Sequence, residues 1–286
     1  MSAEIIFGLI AMLGFGLSSA LSKIPAKNIK SKKLVFFRNL ISSSLFIILM
    51  LLFNFEMAFS MKYILIAFLI SFIGYIPLVV FYKALDVGKV GVVVPVANSS
   101  VLFTVLFSIL FFGESLSMSQ AFSILLIITG IFFISLNFHD LKKSNLFQLS
   151  SGIPYALITS FLWGLIFVLF KIPIMIIGPI LTAFIIELGG FLSSAMHMKI
   201  SKTSFSAPTK KNLLYIFFVA FFGVIGALFF NMGIKCGNIS IVAALMAANP
   251  LVSTLYARIA YKEKISITQG FSILLIITGI ISISYF

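Results

Sequence analysis

The run FSILLIITGI occurs twice in this 286-residue sequence, at Phe122 to Ile131 and again, unchanged, at Phe271 to Ile280. The copies lie 149 positions apart, and the register holds upstream: Gln120 matches Gln269, Ser117 matches Ser266, Glu114 matches Glu263 and Gly88 matches Gly237. Nearer the start the offset shifts by one, which sets FGLSSALSKIP (Phe15 to Pro25) on WGLIFVLFKIP (Trp163 to Pro173), so that Lys23 falls on Lys171. Apolar segments alone could coincide, but Gly, Pro, Lys, Glu and Gln at fixed spacings mark a duplication. The chain therefore divides into a first repeat over 1–138, a polar linker over 139–151 and a second repeat over 152–286.

Composition decides the solvent. Hydrophobic residues make up 61 % of the chain and charged residues 9 %, with a mean hydropathy of +1.22. A soluble domain carries about a quarter charged residues, so this is an all-α polytopic membrane protein with no room for a soluble domain. The opening MSAEIIFG lacks a basic region and a polar cleavage site, and reads as a retained first span rather than a signal peptide. The net charge of +13 sits in short loops between apolar runs, which points to membrane orientation and anionic lipid rather than to nucleic acid. One cysteine, Cys236, excludes an intrachain disulfide, and the two histidines, His139 and His197, give no metal-site spacing. No phosphate-binding GxxxxGK[ST] loop occurs, and no cofactor is expected.

A helix needs about 20 apolar residues to cross a bilayer. Ten such runs are present, near 4–23, 34–54, 62–83, 90–112, 120–138, 152–172, 177–198, 212–234, 239–260 and 268–286, with Gly178-Pro179 as the turn between the sixth and seventh. Five spans per repeat is an odd number, so the second half enters the membrane from the opposite face and the repeats are inverted. Of the 20 lysines and arginines, only Lys62, Lys171 and Lys235 lie toward the even-numbered loops. The positive-inside rule then places the odd-numbered loops in the cytoplasm and both termini outside.

With the halves aligned, the chain resembles the ten-helix EamA-type permeases of the drug/metabolite transporter superfamily. The resemblance rests on an aromatic-Gly followed by Lys in the first span of each half (Phe15-Gly16 with Lys23, Trp163-Gly164 with Lys171) and on Arg38 early in the second span. Glu114 and Glu263 at span ends, each followed by Gln and a Gly-containing last span, complete it. It implies a secondary carrier that moves small organic solutes, amino acids or related metabolites, outward by alternating access across the plasma membrane. It also implies cytoplasmic termini, opposite to the charge count.

A charge at mid-bilayer costs about 2.5–3.5 kcal/mol on insertion scales, so each one asks for a reason. Glu187, about 12 Å beyond the Gly178-Pro179 turn at helical rise, is the acidic residue placed well inside a span. It suits a proton-coupling group or a partner for a solute amine; paired with Lys171 or held by hydroxyls, it would serve packing instead. Arg38 is its repeat equivalent, but inversion places the two nearer opposite faces, and Arg38 lies close enough to an end to snorkel to headgroups. Lys23 and Lys171 read as gate or solute-anion contacts, or as interface residues. Asn98 and Ser99 follow Pro95 and Asn249 precedes Pro250, where broken helices present polar groups near midplane. Tyr82 and Asn231 are further repeat equivalents, for which interhelical bonding is the competing role. Trp163 either walls the cavity or anchors at the interface. Glu114 and Glu263 are read as caps, or as partners of Lys262 and Lys264. The small Thr129-Gly130 and Thr278-Gly279 surfaces make the fifth and tenth spans a scaffold or a dimer face.

A cavity drawn from spans 1, 3, 4, 6, 7, 8 and 9 follows, in a monomer or homodimer whose partners are a small-molecule solute, lipids and protons. An intramembrane enzyme lacks candidates, since Asp86 and Asp140 fall in loops and neither histidine accompanies a membrane serine nucleophile. The remaining alternative is a lipid flippase or a non-transporting scaffold.

Overall fold

The computed structural model describes residues 2–136, 148, 151–262 and 264–285; the expectations for the linker and Glu263 lie outside or largely outside them. Among the described residues, ten helices are long and apolar enough to cross a membrane. In chain order they are Ala3–Ala26, Ser31–Leu52, Met61–Val87, Val92–Phe112, Met118–Ser135, Ile153–Ile177, Pro179–Ile200, Lys210–Cys236, Ile239–Ala260 and Ile267–Tyr285, called here the first to tenth spans. The reason is the one composition gives: in hydrocarbon each backbone group must bond within its own segment.

The punctuation is local and chemical. Gly178 turns the chain between the sixth and seventh spans at φ 90°, a conformation that disfavours any side chain, and Pro179 starts the next helix where its missing N–H costs nothing. Ser117 and Gln120 form a reciprocal capping box on the fifth span, and Ser266 and Gln269 repeat the same two bonds at the start of the tenth.

Three spans are interrupted. The fourth relaxes at Ser99 (ψ 0°) between Val90–Asn98 and Ser100–Phe112, and the ninth at Ala248 (ψ 6°) between Ile239–Ala247 and Asn249–Ala260. These two positions are repeat equivalents. The sixth divides at Phe170, between Ile153–Leu169 and Lys171–Ile177. Proline explains the last two breaks: the Pro173 and Pro250 rings crowd the carbonyls of Leu169 and Met246, four residues back.

The inverted repeat shows in the packing. The first span lies on the eighth and ninth, and correspondingly the sixth lies on the third and fourth; the second packs on the seventh and the fifth on the tenth, pairs that map onto themselves when the halves are exchanged. The fifth and tenth meet through their duplicated glycines. A Cβ at Gly130 would stand 2.6 Å from Ile276 Cγ1, and one at Gly279 would stand 2.7 Å from Ile127 Cγ1. This pair forms a scaffold at one side of the molecule, and its residues do not enter the main cavity. The buried layer between the other spans is rich in isoleucine, with Ile174, Ile239 and Ile241 almost wholly enclosed.

Candidate functional site

A cavity of about 450 Å³ lies between the halves. One wall is charged. Arg38, one to two turns into the second span, donates from Nη2 to Glu187 Oε1 at 3.0 Å and from Nη1 to Asn39 Oδ1 at 2.9 Å. Glu187 is 7 % exposed, and its second oxygen, Oε2, makes no hydrogen bond to any described residue. Arg38 therefore does not snorkel, as its position near the span end suggests; a buried carboxylate and a buried amide give it better partners inside. Nor is Lys171 the partner of Glu187. Beside the pair, Ser71 Oγ donates to the Ile186 carbonyl at 2.8 Å, and the Tyr75 hydroxyl shares a 3.0 Å hydrogen bond with His197 Nδ1.

The other wall is aromatic. Phe15, Trp163, Phe167, Phe170 and Phe230 line it, with Phe167 edge-on to both Phe170 (6.1 Å) and Phe230 (5.8 Å). Trp163 packs at 5.3 Å on Phe81 and faces the cavity rather than the interface. A side lobe of about 150 Å³ shares Asn98, Trp163, Phe167, Met246 and Asn249 with the main cavity and extends to Thr104, Ala243 and Ala247. The two equivalent helix breaks thus flank the lobe.

Six of the sequence-predicted residues come together here: Arg38, Asn98, Trp163, Glu187, Asn231 and Asn249. Asn231 also has a structural bond, from Nδ2 to the Pro179 carbonyl at 3.1 Å. Tyr82 stays outside the lining, against Phe81, and Ser99 holds the fourth span to the sixth through Ser160 Oγ at 3.0 Å. The expected set of lining spans omitted the second, which supplies both Arg38 and Asn39. Asn39, Ser71 and Tyr75 were missed; a buried Asn next to an intramembrane Arg was the available signal.

The lysines mark opposite ends. At the end bearing the odd-numbered loops, the cavity shares Ser19 with a mouth of about 250 Å³ lined by Lys23, Tyr261, Lys264 and Gln269, where Lys23 Nζ lies 5.0 Å over the Tyr261 ring. At the far end, Lys171 Nζ bonds Glu114 Oε1 at 3.1 Å. Glu114 also accepts from the backbone N–H of Ile239 (2.7 Å) and Ser240 (3.1 Å) and from Ser240 Oγ (2.8 Å). It does cap a helix, but the cap is on the ninth span, from across the halves. Burial works against the charge, yet the hydrogen bonds from Ser240, Ile239 and Lys171 prevail and hold its carboxyl below the ordinary 4.5. Among the described residues no cluster of His, Cys, Asp or Glu is placed to hold a metal ion.

Comparison with known families decides the class of such a molecule. The model of the EamA-like transporter family matches residues 2–136 and 150–285, once for each half. The chain belongs to the EamA-like transporter family. An uncharacterised protein of Methanocaldococcus jannaschii is 30 % identical over 138 residues, 48 % of this chain and 99 % of that one. A chain of known crystal structure, 18 % identical, superposes with a TM-score of 0.80 over 99 % of this chain and 98 % of its own, a likeness of fold. Membership makes this EamA-family chain a multi-pass membrane transporter of small solutes.

Proposed function

We propose that the chain is a secondary carrier of small zwitterionic or amphiphilic metabolites, amino acids among them, moved outward by alternating access between the halves 1–138 and 152–286. The observation that carries this reading is the charged wall of the cavity. Arg38 presents a planar donor suited to a carboxylate, and the Glu187 carboxylate, whose buried Oε2 has no described hydrogen-bonding partner, offers an acceptor to an ammonium, in a cavity whose other wall is a surface of rings for an apolar side chain. At about 450 Å³ the cavity falls in the range of small-molecule sites. A solute that engages both groups competes with their ion pair, and a proton on Glu187 does the same, which couples the two without a metal or cofactor. If the charge count sets orientation, the mouth at Lys23 and Lys264 faces the cytoplasm, the uptake side of an exporter.

The test is uptake of a labelled amino-acid mixture into proteoliposomes with and without an imposed pH gradient, comparing the native chain with Glu187→Gln. Gradient-driven uptake that disappears in the variant while exchange survives assigns the coupling to Glu187. Equal gradient-driven uptake by both removes that role.

One observation favours a second reading, a lipid flippase. A groove of about 260 Å³ between the fourth and fifth spans, lined by Leu102, Leu125, Thr129 and Phe132, shares Asn98 with the cavity, giving an apolar tail a lateral path. Scrambling of fluorescent lipid by the same vesicles, without solute uptake, would select it.

A further inference from the structure

We propose that Glu114 is the latch of the far-end gate, and that release of its carboxylate from the ninth span and Lys171 is the step that opens the cavity on that side. This rests on the carrier reading, though not on the identity of the solute. Each bond to the latch crosses between the halves. Glu114 follows the fourth span, its side chain is 3 % exposed, and its two oxygens hold the first two backbone N–H groups of the ninth span, the Ser240 hydroxyl and the Lys171 ammonium of the sixth. A carboxylate at a helix start meets the positive end of the helix dipole as well as unsatisfied donors. Ser108 Oγ of the fourth span reaches Ser240 Oγ at 2.6 Å, and Glu4 Oε2 accepts from the Asn238 N–H at 2.9 Å, so that three first-half groups clasp the start of one second-half span.

The near end of the molecule is built from the same repeat and stands differently. Lys23 and its equivalent Lys171 each lie 5.0 Å over an equivalent ring, Tyr261 and Phe112, but Lys23 is exposed and lines the open mouth, whereas Lys171 is 19 % exposed and sits on the buried Glu114. A carrier must exchange an open end for a closed one. The clasp stands where that exchange breaks contacts, at Ile239 itself and one turn from Ile174, both fully enclosed in one apolar cluster. A group that binds only one of two states shifts the balance between them by its differential strength. Neutralising Glu114 therefore raises the population open at the far end and lowers the one open at the mouth. A part that merely stabilised the fold would, when damaged, loosen both ends together.

The experiment reads the two ends separately in full-length chains in nanodiscs, which expose both faces. Cys236 is replaced by Ser, and one cysteine is introduced either at Ile174, buried one turn from Lys171, or at Ala20, which lines the mouth. A membrane-impermeant maleimide is expected to label the Ile174 cysteine at least tenfold faster in Glu114→Gln than in the native background, and the Ala20 cysteine more slowly. Glu114→Asp, which keeps the charge, is expected to restore slow labelling at 174, and Lys171→Met, which removes one of the latch's partners, to give an intermediate rate. Unchanged rates at both positions, or a parallel rise at both, would overturn the proposal. If Glu114→Gln does not fold, the opposed shifts in Lys171→Met decide it alone. No solute is present, so a wrong solute class fails the uptake test and leaves these rates intact.

Discussion

Removal of Arg38 should cost the fold more than removal of its partner, and removal of both should cost less than either sum suggests. In Arg38→Leu the Glu187 carboxylate, 7 % exposed and holding its one described hydrogen-bonding partner through Oε1, is left as an unpaired buried charge. Such a loss is worth about 3–5 kcal/mol. In Glu187→Leu the guanidinium keeps Asn39 at 2.9 Å, and its side chain, 26 % exposed, can turn toward water in the cavity, so the loss falls to about 1.5–2 kcal/mol. The double variant replaces the pair with apolar volume, a change that is often near neutral, about 1 kcal/mol. The single effects should therefore exceed the double by about 3 kcal/mol or more. The assay is SDS-induced unfolding in mixed micelles, followed by emission of Trp163, the sole tryptophan and part of the cavity wall. Additivity within about 0.5 kcal/mol would mean that the two residues act independently and that the ion pair is not the feature organising this wall.

Further expectations attach to the scaffold, the caps and the latch. Gly279→Leu pushes a side chain into Ile127 and the Ser123 carbonyl, separates the fifth and tenth spans and should destabilise by about 1–3 kcal/mol, read as a lower SDS midpoint with transport per folded molecule retained. Ser117→Ala removes the capping box of the fifth span and should cost about 1 kcal/mol in the same titration. Because the Glu114 carboxyl is held below its ordinary value, its contribution is complete above about pH 4.5 and is lost as pH falls through the lower folded value. The midpoint gap between the native chain and Glu114→Gln should thus be constant from pH 7 to 5 and narrow below 4; a gap that widens in acid contradicts the assignment.

The fold was legible because duplication repeats a signal and hydrocarbon leaves a chain few choices. The twin FSILLIITGI runs announced the repeat and small surfaces for close helix contact, leaving open whether these formed a scaffold or a dimer face, and Gly178-Pro179 marked the turn it makes. The site was legible residue by residue but not as an arrangement. Glu187 and Arg38 each stood out by the cost of a charge in an apolar run, yet inversion argued for keeping them apart. They meet because the second and seventh spans, themselves repeat equivalents, pack on each other, so that equivalent residues face one another despite inversion. Lys171 was drawn toward the wrong carboxylate for the same reason: spacing along the chain does not report which loop folds over which helix start. Of the aromatic wall Trp163, the sole tryptophan, was singled out, but its four phenylalanines could not be picked as a wall from a chain with 34. The broken helices were readable where proline and asparagine adjoin, at Pro95 to Ser99 and at Asn249-Pro250, and of the polar residues there Asn98 and Asn249 line the lobe whereas Ser99 does not.

The central claim is that solute occupies the cavity at Arg38 and Glu187 and is carried, not merely admitted. The most direct measurement is counterflow in proteoliposomes preloaded with individual unlabelled zwitterionic metabolites, following entry of the same metabolite in labelled form with no ion gradient. The account predicts transient accumulation of label above equilibrium for at least one such metabolite in the native chain, and its abolition in Arg38→Leu/Glu187→Leu folded to the same yield. Label that enters equally with and without preload, or accumulation that survives in the double variant, would contradict it.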